Sequence, residues 1–226
     1  SSLYAPELLI QTTITGQLCL LMLIERLHKA GMRIVSANTD GIVVLAYKLS
    51  ENAIDEITFD WMLKTSFSLS RADYRSIHSR DVNSYIAVKL DGKTKRKGAF
   101  SEPTLSKNPE FTVVTDAAAD YLSKGAPIIE TIRACRDIRE FVTVRRVDGG
   151  AQWRDNYLGK AVRFYYSTGV GADENICYAK NRNKVPRSDG AMPLMTLPDT
   201  FPDDVDITRY VNMAKEALKD MGVTSA

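Results

Sequence analysis

Met32-Arg33-Ile34-Val35-Ser36-Ala37, then Asn38-Thr39-Asp40-Gly41, then Ile42-Val43-Val44-Leu45-Ala46-Tyr47 is the stretch on which the fold turns. Two runs rich in β-branched residues flank an Asp-Gly pair, which predicts a hairpin with a tight turn. Asp-Gly is ordinary turn chemistry and by itself needs no function. Upstream, Pro6 fits the first turn of a helix and Gly31 supplies its stop. Between them Ile10, Ile14, Leu18, Leu21, Ile24 and Leu27 recur at helical spacing, predicting a helix about 36 Å long at 1.5 Å per residue. Its run Leu18 to Ile24 is apolar on most sides and is expected deep in a core. Downstream, Ser50 is placed to cap a helix whose apolar side carries Ile54, Ile57, Trp61 and Met62. A carboxylate at the tip of a hairpin pressed against such a helix is held rigidly, and suits a hard cation such as Mg²⁺.

Farther along, Asp81 to Leu90 alternates as a strand, with Val82, Ser84, Ile86 and Val88 on one face and Asn83, Tyr85, Ala87 and Lys89 on the other. Asp91-Gly92 turns it back into Lys93 to Phe100. From Thr115 the character changes. Short helical stretches (Asp116 to Ser123, Pro127 to Ile138) lead to β-rich runs at Glu140 to Val147, Lys160 to Tyr166 and Ile176 to Lys180. A proline-rich loop comes next, and Asp206 caps a closing helix. The fold class is α+β: antiparallel hairpins packed on a long helix, followed by a mixed helix/β subdomain. The division is expected between residues 1–110 and 111–226.

The chain has 226 residues, 44% hydrophobic and 26% charged, proportions of a globular and not a disordered protein. Its longest unbroken apolar run, Leu18 to Ile24, has seven residues, which argues against a membrane span. No charged-then-apolar leader precedes a small-residue cleavage site, so an intracellular protein, not a secreted one, is expected. Three widely spaced cysteines make neither a disulfide framework nor a zinc site. Two histidines, His28 and His78, leave little room for a histidine-rich metal site. The net charge of +2 hides three basic stretches: Lys89 to Lys97, Arg133 to Arg146, and Lys180 to Arg187. Separated basic stretches on a near-neutral chain are what a polyanion-binding face requires, although any one of them alone is more often a solvated surface.

A metal-suited hairpin followed by a tyrosine strand and a lysine-rich ribbon resembles the C-terminal part of family B DNA polymerases, specifically the phage type. The family's Asp-Thr-Asp motif reads Asn38-Thr39-Asp40 here. The family's second aspartate ligates the catalytic metals, and Asp40 falls there; the first is replaced by Asn38, one charge fewer near the metals. The Lys-x-Tyr signature that contacts primer–template duplex reads Asn83-Ser84-Tyr85, the tyrosine kept and the lysine lost. The resemblance implies a C-terminal half of the palm, then a thumb that grips duplex DNA. It implies nucleotidyl transfer from dNTP to a primer 3′ end in DNA replication, with two Mg²⁺ ions. Asp40 would be the catalytic metal ligand, with Asn38 and Thr39 beside it. Asn83, Tyr85, Lys89, Lys93, Lys95, Arg96 and Lys97 would hold the duplex, mainly by its phosphates. The partners implied are primer–template DNA, dNTP and an N-terminal palm and fingers portion, with the host cytoplasm as location if the chain is phage-encoded. Without that portion's second carboxylate and fingers lysine, the chain alone is expected to extend no primer.

Two other readings compete. A non-catalytic duplex-binding protein on a palm scaffold accounts for Asn38 and the lost lysine, but gives no reason for a carboxylate beside phosphates. A reverse-transcriptase-like palm wants two adjacent acids at the hairpin tip, which Asn38-Thr39-Asp40 lacks. Among other residues, Trp61 is expected in a core, Trp153 between the β-rich runs, and the acids Asp203 to Asp206 at a helix start.

Overall fold

A computed structural model describes residues 5–38, 41–46, 51–104 and 107–224. The chain forms two compact units, 1–72 and 73–226.

In the first unit, helix α1 runs Pro6–Lys29, with proline in its first turn and Gly31 just beyond its end at a positive φ of 82°. Strands β1 (Arg33–Asn38) and β2 (Gly41–Leu45) pair antiparallel, with Asn38 opposite Gly41 and a bulge between Ile34 and Ser36. Helix α2 spans Glu51–Thr65. Leu23 and Leu27 of α1, Met32 and Trp61 form a small core, with Ile34, Ile42, Val44, Ile54, Ile57 and Met62 packed against it. The Trp61 indole N–H donates to the Cys19 carbonyl at 2.7 Å, which ties α2 to α1. Arg26 pairs with Asp60 across the same two helices.

The expected depth of Leu18 to Ile24 is corrected: Leu23 is buried, but Leu18 and Leu21 are 60% and 48% exposed. A stripe Ile10, Ile14, Leu18, Leu21 lies open on the helix side away from Leu23 and Leu27. Helical spacing locates a face but does not say which of two apolar faces meets the core. The argument against a membrane span is corrected as well, since α1 is long and apolar enough to cross a membrane by length and composition. Counting unbroken apolar residues misses this because the interruptions are mild. Thr12, Thr13 and Thr15 turn their hydroxyls onto carbonyls four residues back, at 2.7, 2.8 and 2.8 Å.

The second unit opens with a three-stranded antiparallel sheet, β3 (Tyr74–Asp81), β4 (Ser84–Lys89) and β5 (Thr94–Lys97), in that order. Helices α3 (Thr112–Lys124) and α4 (Ile128–Ala134) come next, then a long hairpin of β6 (Thr143–Trp153) and β7 (Asn156–Tyr166). Short strands β8 (Cys177–Tyr178) and β9 (Ala191–Pro193) extend that hairpin into the order β8-β6-β7-β9, and α5 (Ile207–Asp220) closes the unit. The Asp206 side chain accepts from the Arg209 N–H at 3.0 Å, the expected cap.

Ile86 and Phe100 share one core with Ala117 of α3, Phe164 of β7 and Tyr210 of α5. For that reason the units part at 72/73 and not at 110/111: the β3–β5 sheet packs with the helices and strands C-terminal to it. Tyr210, fully buried, sits at the centre of this core against Phe111, Phe141 and Tyr166. Its hydroxyl donates to the Phe141 carbonyl at 2.7 Å and accepts from the Tyr166 N–H at 2.8 Å. Burial drives its phenol pKa upward, so the group stays protonated. Tyr210→Phe removes both hydrogen bonds without changing ring volume and strands two buried backbone groups. It is expected to lower unfolding free energy by about 2 to 3 kcal/mol, read as a lower denaturant midpoint with an unchanged slope.

Candidate nucleic-acid interface

Register decides which residues of the basic ribbon can act together. In β4 and β5, Tyr85 lies opposite Lys97, Ile86 opposite Arg96, Ala87 opposite Lys95, and Val88 opposite Thr94. Directly paired residues share a face, and alternate residues change face. One face therefore carries Ile86, Val88, Thr94 and Arg96, with Ser76 and His78 from β3. It is the core side, since Ile86 belongs to the main apolar cluster and Arg96 pairs with α3, whereas Ala87 on the other face, although equally buried, is outside that cluster. The opposite face carries Tyr85, Ala87, Lys89, Lys95 and Lys97, with Tyr74, Ile77 and Ser79 from β3.

The sequence grouped five basic residues as one ribbon, and the sheet separates them. Arg96 is only 16% exposed and pairs with Asp116 of α3, with Glu102 at 4.0 Å. It fastens the sheet to a helix and is withdrawn from the proposed DNA-binding set. Lys95 and Lys97 stay exposed on the outer face. The Lys95 ammonium donates to the Tyr74 hydroxyl at 3.3 Å. That bond, followed by the charge interactions with Tyr74 and Tyr85, raises its pKa above the ordinary lysine value. The ammonium is thus held charged among two phenols. Lys93 stands on the turn, 79% exposed, 3.6 Å from Asp91. The Asp91 carboxylate accepts from the Lys93 backbone N–H at 2.9 Å, the chief reason its pKa falls.

Asn83 is corrected as a strand residue. Positions 82 and 83 form the turn between β3 and β4, because Asp81 already pairs with Ser84. Its N–H donates to the Asp81 carboxylate at 2.9 Å. Its carbonyl lies against Gly98, which has a φ of +62° and no room for a Cβ between the Asn83 carbonyl and the Ser84 hydroxyl. This explains the glycine after the basic run. Tyr74, missed by sequence reading, is a second phenol on the same face as Tyr85. Its strand, Tyr-Arg-Ser-Ile-His-Ser-Arg-Asp, alternates too weakly in polarity to show a period of two.

The hairpin tip offers less. Thr39 and Asp40 lie outside the described residues, while Asn38 and Gly41 beside them pair across the hairpin. Among the described residues no group of three His, Cys, Asp or Glu side chains is placed to hold a metal ion. Two acids of α2 are engaged elsewhere: Asp60 takes Lys64 at 2.8 Å as well as Arg26, which hold its pKa down, and Asp55 takes Arg71 at 3.0 Å. The described residues therefore do not by themselves make a two-metal donor set.

Among solved structures, the chain is similar to that of the family B DNA polymerase from the hyperthermophilic archaeon Pyrobaculum calidifontis, with a TM-score of 0.56 at 14% sequence identity. The match covers 99% of this chain and 31% of that one, so the chain spans about a third of the length of its neighbour. At that identity the likeness is one of fold. No protein-family model matches the chain, and no curated protein does.

Opposite faces imply opposite phenotypes. Gly98→Ala and Arg96→Ala are each expected to destabilise the second unit and lower its thermal midpoint, the first costing about 1 to 3 kcal/mol of unfolding free energy through strain and overpacking. Lys97→Ala, on the exposed face, is expected to stay within about 0.5 kcal/mol of the parent. Differential scanning calorimetry of the three variants checks the assignment.

Proposed function

We propose that this chain is the C-terminal part of a template-directed DNA polymerase of the family B type, and that its share of the work is to hold primer–template duplex. The single observation that carries this is the outer face of β3–β5, where Tyr74 and Tyr85 lie among Lys89, Lys95 and Lys97 on a sheet of polymerase-like fold. Such a face can take a duplex by its phosphates: ammonium groups neutralise charge and phenol hydroxyls donate to phosphate oxygens. Neither reads base edges, which suits an enzyme that must copy any sequence. Lys93, at the turn, extends the same positive edge.

The motif Asn38-Thr39-Asp40 assigns Asp40 as a ligand for Mg²⁺, and the second carboxylate of a two-metal site to the palm and fingers portion. When bound, the metals would lower the pKa of the primer hydroxyl and neutralise the leaving phosphates. The chain's own described residues would serve that chemistry by support: Leu23, Leu27 and Trp61 pack with Ile34, Ile42 and Val44 of the hairpin strands. The phage-type affinity rests on the motif residues alone, since the similar structure is archaeal. A duplex-binding protein without catalysis uses the same outer face, and Asp40 is what separates the two readings.

Duplex binding should be independent of sequence. Its affinity should fall with salt at a log–log slope of about −3 to −4, for four lysines near phosphates. Lys95→Ala with Lys97→Ala should flatten that slope by about 2, measured by fluorescence anisotropy from low to moderate salt. In the presence of the palm and fingers portion, Asp40→Asn should reduce primer extension by orders of magnitude with duplex affinity retained. Near-parental extension would remove the polymerase assignment in favour of the binding protein.

A further inference from the structure

Away from the β3–β5 face, the second unit carries a cleft of about 470 Å³. One wall is the segment Lys107–Glu110, another is the start of β6 with Arg145 and Arg146, and the third is formed by Tyr178 and Pro186. It thus brings the second basic stretch of the sequence against the loop that carries the third. Its volume lies within the range of small-ligand sites.

The charges in it are loosely held. Arg145 reaches Glu110 at 3.4 Å through a terminal nitrogen, while its Nε is buried and has no hydrogen-bond partner. A buried donor on a charged group left unpaired is costly, and a small rotation of the guanidinium would present Nε and a terminal nitrogen side by side to two anionic oxygens. Arg146 is 88% exposed, and its partner Asp148, at 3.6 Å, is 94% exposed. An ion pair of that kind contributes little and yields readily to another anion. Lys107 is committed: its ammonium donates to the Gly98 carbonyl at 2.8 Å and the Ser101 hydroxyl at 2.6 Å, so it stiffens the wall. Glu110 also faces Arg187 at 3.9 Å. Lys107, Arg145, Arg146 and Arg187 against Glu110 and Asp148 leave positive charge in excess, which suits an anionic ligand such as a phosphodiester. Tyr178, half-buried on the opposite wall, offers an aromatic surface of the kind on which bases stack whatever their identity.

We propose that this cleft is a binding site for one nucleotide unit of a single strand, its diester on Arg145 and its base on Tyr178, with Arg146, the next residue along β6, adding positive charge at the cleft's edge. The site is separate in residues from the duplex face, and the inference does not depend on the polymerase reading. A short fluorescein-labelled oligothymidylate titrated with the 226-residue chain tests it by anisotropy. Tyr178→Ala is expected to weaken binding roughly tenfold, the effect of losing one stacked base, and Tyr178→Phe to restore it. Arg146→Glu, on an exposed side chain that folding does not need, is expected to weaken binding further and to flatten the salt dependence by about one unit. Competition separates the sources of the same chemistry: unlabelled oligothymidylate should displace the probe at far lower nucleotide concentration than thymidine monophosphate. Equal displacement would assign the cleft to free nucleotides and overturn the strand proposal. Unchanged affinity in Tyr178→Ala and Arg146→Glu, with cooperative unfolding retained, would overturn the site itself. Failure of the duplex reading appears elsewhere, as an unchanged salt slope in the Lys95 and Lys97 variant.

Discussion

The pairing of Arg96 with Asp116 fixes which way the basic ribbon faces. Strand β5 alternates Thr94, Lys95, Arg96, Lys97, and a β-strand sends neighbours to opposite sides. Once Arg96 is drawn toward α3, Lys95 and Lys97 have no choice but the outer face. Cross-strand register then sets Tyr85 beside Lys97, and the Tyr74 hydroxyl reaches Lys95. A one-residue slip would exchange the two sets, burying lysines against Ile86 and Val88 and exposing the core. Gly98 guards that register from the other end, since only a residue without a Cβ can pass the Asn83 carbonyl.

The same sheet shows how the buried core and the exposed lysines are kept apart in this unit. Ile86, Phe100 and Tyr210 belong to one continuous core, so the strand that shows lysines outward is anchored by the largest apolar cluster of the chain. The hydroxyl of Tyr210 links Phe141, before β6, to Tyr166, at the end of β7, and so joins α5 to both ends of the long hairpin. Exposed lysines repel one another, and they tolerate being held close only on a base that does not yield. The phenols between them ease this, as the raised pKa of Lys95 indicates.

Much of this is legible in the sequence, and the exceptions have physical causes. Pro6, Gly31, Asp91-Gly92 and Asp206 are local signals, and the elements they bound fall where they are expected. The three-stranded sheet is legible only in part, because β3 is serine-rich and charged and gives no clear alternation. Composition groups Arg96 with its lysine neighbours, although the period of two already sets it on the other side. The unit boundary is misplaced by sequence reading because it depends on Ile86 and Phe100 meeting α3 and β7, contacts between residues distant in sequence. The two apolar faces of α1 read as one. The cleft of Arg145, Arg146 and Tyr178 is not visible in the sequence at all, since it gathers three separate segments, although Arg145-Arg146 stands out as a charged pair.

The central claim is that duplex DNA lies on the outer face of β3–β5. Competitive lysine acetylation, quantified residue by residue with and without a duplex, reads that face directly. The account predicts that Lys89, Lys95 and Lys97 lose reactivity on binding while Lys64 and Lys219, exposed on α2 and α5, keep theirs. Equal reactivity of Lys95 and Lys97 in the free and duplex-saturated protein would contradict it.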